Sequence, residues 1–418
     1  MTRRVLTFLS FLFVISCDGQ NNEPASPAIT ASSSSTVQSE TERLNAWFTD
    51  RNEERLAFSP IELTILNRKE QYDQLDQFSL EATQEQLTWH VATIEEMQLE
   101  FSYDNLDSEA KTSWDTWIYM YERNSGIQEF ASQFYIFEQM NGNHSLFPTI
   151  MINYHKVDSL SDMQAYIARL RQVDRALGQE LEKARSNAER GVRAPQFAYE
   201  IVIDEARKII GGEPFDDQVE NKSAIWSDSM AKIAGLVEAG EIDSTMAEML
   251  TEQVRSALLE GYQPIYEEII TWLSQDIVNT DSEPRGVWAL PQGEDYYNQL
   301  LSFYTTTNLS AEEVHQIGLD EVERLMAEME VVKGEVGFNG EMLNFLDFVS
   351  TDEQFYYDNT EEGRQAYLED TNAYYDTIRE KLPEYFGILP KAALEVKRVE
   401  AFREQDGAPA HYNSSSPD

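Results

Sequence analysis

The chain has 418 residues, 32 of them basic and 75 acidic, for a formal net charge of −43. That balance excludes the phosphate-binding classes, because nucleic-acid recognition draws on clustered Lys and Arg, and an anionic lipid surface would repel so acidic a body. A hydrophobic content of 41%, with seven Trp and twenty each of Tyr and Phe, excludes a disordered chain and is enough for a sizeable core.

At the N-terminus, Arg3 and Arg4 precede an apolar run from Val5 to Ile15, interrupted only by Thr7 and Ser10. The run is shorter than the ~20 residues needed to span a bilayer core. A positive start followed by a short apolar segment is the pattern of an export signal. Val14-Ile15-Ser16-Cys17 resembles the lipobox of bacterial lipoproteins, with a small residue before the cysteine. Cys17 is the only cysteine, so it has no intramolecular disulfide partner. Lipid on Cys17 would bury acyl chains at about 0.8 kcal/mol per CH₂, and several chains would hold firmly. Asp18 resembles the inner-membrane retention signal of enterobacterial lipoproteins. From Asp18 to Glu40 the chain holds Pro24, Pro27 and Ser32 to Ser35 and almost no bulky apolar residue. Such a composition cannot offset its ordering entropy, and as a tether it spans roughly 25 Å. The expected organisation is a signal peptide over 1–16, an anchor and tether over 17–40, and a helical body over 41–418. The expected location is the periplasmic side of a cell envelope.

The body reads as mainly helical, with no internal repeat. Helices are expected over Thr41 to Phe58, Thr83 to Phe101 and Asp107 to Arg123. In Ser159 to Arg190, Met163, Ile167, Leu170, Leu177 and Leu181 recur at helical spacing and should face inward. Pro195 to Ile210 follows. Thr245 to Leu273 carries a stripe of Met246, Met249, Leu250, Val254, Ala257 and Leu258, and Gly261 with Pro264 should kink or break it. In Ser310 to Glu330, Ser310 and Glu313 form a capping box flanked by a Leu309–Val314 staple. Val314, Ile317, Val322, Leu325, Met326 and Met329 then line one face. Thr360 to Leu382 is the last helix. Leu394 to Phe402 alternates as a strand and needs a partner. The chain then stops in a turn-like Ser414-Ser415-Ser416-Pro417-Asp418, so the C-terminal part is expected to be missing.

The residues by themselves carry little chemistry. His90, His144, His155, His315 and His411 form no HExxH pair, and there is no cysteine cluster, GxSxG elbow, phosphate-cradling loop or EF-hand spacing. His315 lies in the first turn of a capped helix, where a solvent-facing or capping role suffices. His144 and His155 flank Pro148 in a loop-like stretch, and neither is taken as a metal ligand. Glu312-Glu313 and Glu361-Glu362 sit at helix starts, where they complement the helix dipole.

A resemblance adds more. Gly191 to Glu200 (GVRAPQFAYE), Leu290 to Leu325, Val336 to Gly340 (VGFNG), Leu389 to Glu400 and Ala408 to Asp418 resemble the bacterial domain of unknown function 885 family. The stretch from Tyr304 to Leu325 is the most specific, and Gln196 departs from a common lysine. The resemblance implies a large multi-helix, zinc-peptidase-like architecture with a substrate channel, and a minor β element near residues 394–402. It implies metal-assisted peptide hydrolysis, in which zinc activates a water and a glutamate acts as base. The family's metal-binding His-Glu and Pro-Gly-His-His segment follows a Ser-Pro-Asp-Gly turn, and this chain stops inside that turn. No catalytic or metal ligand therefore transfers to a numbered residue; zinc is expected in the complete protein and not in this chain. Tyr304, Thr305, Thr306 and Tyr412 are the candidates for facing the channel, with packing and helix capping as the equal alternative. The other reading is a non-catalytic binding or scaffold lipoprotein that ends at Asp418. Expected partners are the membrane, through Cys17, and peptides; nothing in the sequence sets an oligomeric state.

Overall fold

The structure, a computed structural model, describes residues 39–140, 142–216, 221–391 and 393–396. Cys17, the tether through residue 38, His411, Tyr412 and residues 397–402 of the expected strand lie outside them. The described chain is mainly helical, and no strand occurs among the described residues. Leu394 to Val396 takes no regular form. The expected β element is corrected over those three positions, since no strand forms there among the described residues. The chain divides into two compact units between Asn308 and Leu309.

In the first unit, α1 (Glu40–Leu56) starts at a Ser39–Glu42 capping box, which brings the helix one residue into the expected tether. α2 (Pro60–Ile65), α3 (Leu80–Glu100) and α4 (Ser108–Gln128) follow, then α5 (Asn143–Asn153) and α6 (Leu160–Glu189). Trp47 and Phe48 of α1, Met97 of α3 and Trp117 of α4 make one core cluster. α6 is the axis of a larger one. Ser159 caps it, and at 30 residues it is about 45 Å long. Its predicted inward residues Met163, Ile167, Leu170, Leu177 and Leu181 are all buried. Each such side chain stabilises the fold by roughly 1.5–3 kcal/mol. Gly191, at φ +87°, supplies the left-handed residue after the helix end.

α7 (Gln196–Ile209), α8 (Ala224–Glu238) and α9 (Ser244–Ala257) pack around this axis. At Gly261 and Pro264, where a kink or break is expected, the α-helical pattern gives way to a π-turn while the chain stays helical. A π-turn over Leu258–Tyr262 joins α9 to α10 (Gln263–Asp276) without interruption. The wider turn accommodates the Pro264 ring, and the carbonyl four residues back belongs to exposed Glu260. Met249 of the predicted stripe is exposed, whereas Leu250, Val254, Ala257 and Leu258 are buried. α11 (Gly293–Thr305) ends the unit.

The loop expected around Pro148 is also corrected, because Pro148 lies inside α5. Proline has no N–H to give the carbonyl four residues earlier, which is that of His144. That carbonyl instead accepts the buried Tyr266 hydroxyl at 2.6 Å. A distant side chain thus supplies the missing bond and offsets part of the usual penalty. Tyr266→Phe should lower stability by about 1–3 kcal/mol, since it leaves a buried carbonyl short of a donor. Urea unfolding at unchanged m-value is the check; no shift in midpoint would mean that the bond adds nothing net.

The second unit contains α12 (Ala311–Glu335), α13 (Met342–Thr351) and α14 (Glu361–Tyr385). The Ser310–Glu313 capping box forms as predicted. Phe338 packs on Phe345 and Phe348, with centroids 5.3 and 5.2 Å apart, and Phe348 on Phe355 at 5.3 Å. This aromatic run, with buried Met342, anchors α13. α12 buries no residue.

Candidate functional site

The densest polar constellation lies where the loop before α6 meets α2 and α6. Arg169 of α6 is fully buried. Its Nε donates to the Gln74 carbonyl at 2.8 Å, Nη1 to His155 Nδ1 at 3.1 Å and Nη2 to the Pro60 carbonyl at 3.1 Å. An arginine only donates, so His155 Nδ1 must accept, and the ring is the neutral tautomer protonated on Nε2. Nε2 then donates to the Asp162 carbonyl at 3.2 Å. Burial, reinforced by the Arg169 charge, holds the imidazole down at about 3. Burial likewise lowers Arg169 to about 10, which leaves it cationic at neutral pH. The Tyr72 ring stacks on His155 at 4.0 Å.

Beside this group, Tyr166 donates to Asp228 Oδ2 at 2.9 Å, and Lys232 bonds both oxygens of Asp228. Burial pushes the Asp228 carboxyl up. Asp162 feels burial too, yet hydrogen bonds from Lys69 and Ser159 outweigh it and its carboxyl lies below the usual value. Each of these charged side chains has a hydrogen-bonded partner. The role of the group is to fasten the segments before and after α2 to α6.

Among the described residues, His144 is a buried imidazole that faces a carboxylate. Its Nε2 lies 2.8 Å from Glu205 Oε2, while buried Nδ1 has no hydrogen-bond partner. Gly142 makes room for the ring, as a Cβ there would sit 2.6 Å from Nδ1. Burial lowers the imidazole against the pull of Glu205. Zinc needs three or four such donors around one point. Among the described residues no three His, Cys, Asp or Glu side chains converge. His90 Nε2 is within 3.1 Å of the Trp117 carbonyl, His155 is bonded at both nitrogens, and His315 is exposed on α12. The described residues therefore do not fit a zinc site.

Each unit has a hollow among its described residues. The first unit encloses a void of about 20 Å³ lined by Tyr135, Asn187, Arg193, Tyr199 and Trp272 among others, room for one water. The second unit has an open depression of about 620 Å³ between Phe338, Phe348, Asn344, Asp347, Asp352 and Glu353.

Of the residues nominated by the sequence, Tyr304, Thr305 and Thr306 sit together at the end of α11, and Tyr412 and Cys17 lie outside the described residues. Tyr304 is exposed. The Thr305 hydroxyl donates to the Leu301 carbonyl at 2.8 Å, and the Thr306 N–H to the Ser302 carbonyl. Both threonines thus take part in ending the helix. Arg123 of α4 donates to the Phe303 carbonyl at 3.3 Å and stacks 3.7 Å from the Phe303 ring centre, which fixes this end. Thr306 holds φ +56°, a left-handed conformation that costs a β-branched residue about 1–2 kcal/mol. Thr306→Gly should raise stability by about 0.5–1 kcal/mol. A fall in the melting temperature would instead show that the Thr306 hydroxyl bond to the Thr305 carbonyl outweighs the strain.

Sequence reasoning missed the buried polar group altogether. Arg169 and Asp162 lie in a helix rich in charge, where Asp162, Arg169, Glu180 and Asn187 are all buried among the apolar residues, and nothing in the local spacing separates them from the exposed charges.

Comparison with known proteins supports the fold. The chain is similar to the crystal structure of a "putative lipoprotein" from Colwellia psychrerythraea, with a TM-score of 0.71 at 20% identity. The match covers 89% of this chain and 64% of that one, so this chain spans somewhat under two thirds of its length. No curated protein matches the sequence. The model of the family described as bacterial protein of unknown function (DUF885) matches residues 60–418, and the chain belongs to that family.

Proposed function

We propose that this protein is a lipid-anchored component of a bacterial cell envelope, whose helical body handles peptides on the periplasmic side. The observation that carries the anchor is Cys17, the single cysteine, placed directly after a short apolar run that begins behind Arg3 and Arg4. No helix among the described residues is long and apolar enough to cross a membrane, so attachment would rest on lipid. The name of the Colwellia protein agrees with this reading. Asp18 would favour the inner membrane. Cys17→Ala should move the protein from the membrane to the soluble fraction and abolish incorporation of labelled fatty acid. Label entering the variant would defeat the lipobox assignment.

The second reading is a zinc peptidase of which residues 60–418 form the N-terminal scaffold. It is favoured by the 64% coverage of the related chain and by the family resemblance of Tyr304 to Leu325. In this reading the metal ligands lie beyond the described residues, and the end of α11, with Tyr304, Thr305 and Thr306, faces the substrate channel together with Tyr412. The check is metal content and peptide hydrolysis of protein purified from its native membrane. Stoichiometric zinc with chelator-sensitive cleavage supports the peptidase. Zinc-free protein that binds peptides without cutting them leaves the non-catalytic lipoprotein.

A further inference from the structure

We infer that the exposed seam of α12 docks a cationic amphipathic helical peptide. Gly318, Val322, Leu325, Met329, Val332 and Val336 follow each other at alternating steps of four and three. That repeat averages 3.5 residues and marks a coiled-coil seam, which keeps facing one partner helix along its length. Among the described residues of the second unit the seam stays largely exposed. Val322 is 59% exposed, Leu325 46%, Val332 48% and Val336 64%, although α13 packs against the same helix.

Charge selects the occupant. Glu321, Glu328 and Glu335 recur every seven residues along one edge of the seam. Over its length α12 carries eight acidic residues against Arg324 and Lys333. Arg324 sits between Glu321 and Glu328, bonding them at 2.7 and 2.6 Å, and both carboxylates stay exposed. A second copy laid antiparallel would set one glutamate edge against another, and flanking like charges are what coiled coils use to reject a partner. A helix with Lys or Arg beside its apolar face would meet the glutamates and cover the seam, the groove mode of peptide recognition. The net charge of −43 would also steer such a peptide inward. The proposal rests on the peptide-handling reading above and supplies the class of peptide; it requires neither hydrolysis nor the anchor.

The test uses the whole protein and an amphipathic Leu/Lys helical peptide of about 18 residues, long enough for two and a half heptads. Controls are a scrambled peptide of the same composition and an amphipathic Leu/Glu peptide. The Leu/Lys peptide should bind at least about tenfold more tightly than either control, and more weakly as salt rises. Leu325→Asp with Val332→Asp adds negative charge yet should weaken binding by about tenfold or more, because the apolar contact is lost. Since neither side chain is buried, an unchanged helical circular-dichroism signal and melting temperature are expected. Equal binding of the scrambled peptide, or tighter binding by the doubly acidic variant, would mean simple charge attraction and overturn the proposal. The occupant is checked in native membranes with Leu325→Cys. The introduced thiol should react rapidly with a charged maleimide and be protected by the Leu/Lys peptide. A thiol already unreactive without peptide would show a resident covering, whether a second copy or further chain of the same protein, and would also overturn it. Peptide bound but never cleaved leaves the inference standing and removes the peptidase reading.

Discussion

Arg169→Ala should cost the first unit about 3–5 kcal/mol, because three acceptors lose their donor together. The Gln74 and Pro60 carbonyls and His155 Nδ1 each depend on one guanidinium that solvent does not reach. Each acceptor left dry costs about 1–3 kcal/mol, and the vacated volume adds a cavity cost. For a unit of this size the melting temperature should fall by roughly 8–15 °C. Arg169→Lys should recover less than half of the loss. A lysine keeps the charge but cannot present the planar fork that reaches three acceptors in different directions. If Arg169→Ala lowered stability by less than about 1 kcal/mol, water would be replacing the guanidinium, and its fastening role would be disproved.

Stability should also fall on acidification from pH 6.5 downward, chiefly through His155. The sign follows from which state takes up the proton. In the unfolded chain the imidazole has its ordinary value of 6.5, whereas in the fold it is held at about 3. Between those values the unfolded state binds the proton and the folded state does not, so falling pH favours unfolding. The contribution is fully present above 6.5 and is lost progressively towards 3, on the order of 5 kcal/mol across the whole window. His144 and His90 are also lowered, mainly by burial, and act in the same direction. Asp76, Glu180 and Asp228 are raised by burial, so they gain their proton first in the folded state and oppose the trend further down. The upper part of the window, close to 6.5, therefore belongs to the histidines. Urea unfolding at about pH 7, 6 and 5 should show a slope that His155→Gln reduces by nearly one proton. An unchanged slope in that variant would rule out His155 as the source. Arg169→Ala should also raise the His155 value, because it removes the charge that helps to hold the ring neutral.

These two residues mark the limit of what local pattern can convey. Arg169 lies 95 positions from Gln74 and 109 from Pro60, and no window along the chain contains those partners. The same holds for Pro148, which reads as a break until Tyr266, 122 positions from His144, supplies the missing donor. Tyr304, Thr305 and Thr306 were nominated through a family likeness. The structure brings them together at a helix end, with the two threonines in capping bonds that any helix terminus can form.

The sequence by itself determined the mainly helical class, the Ser310–Glu313 capping box, the inward stripe of α6 and the acidic character. Each of these depends on side-chain spacing within a single segment or on composition alone. The tertiary structure alone decided that Arg169 is buried and cationic, that His155 is neutral, that Pro264 passes through a π-turn and that the apolar stripe of α12 stays exposed. Those outcomes depend on which segments meet across the fold. Burial and hydrogen bonding between distant residues set them, and local periodicity carries no record of either.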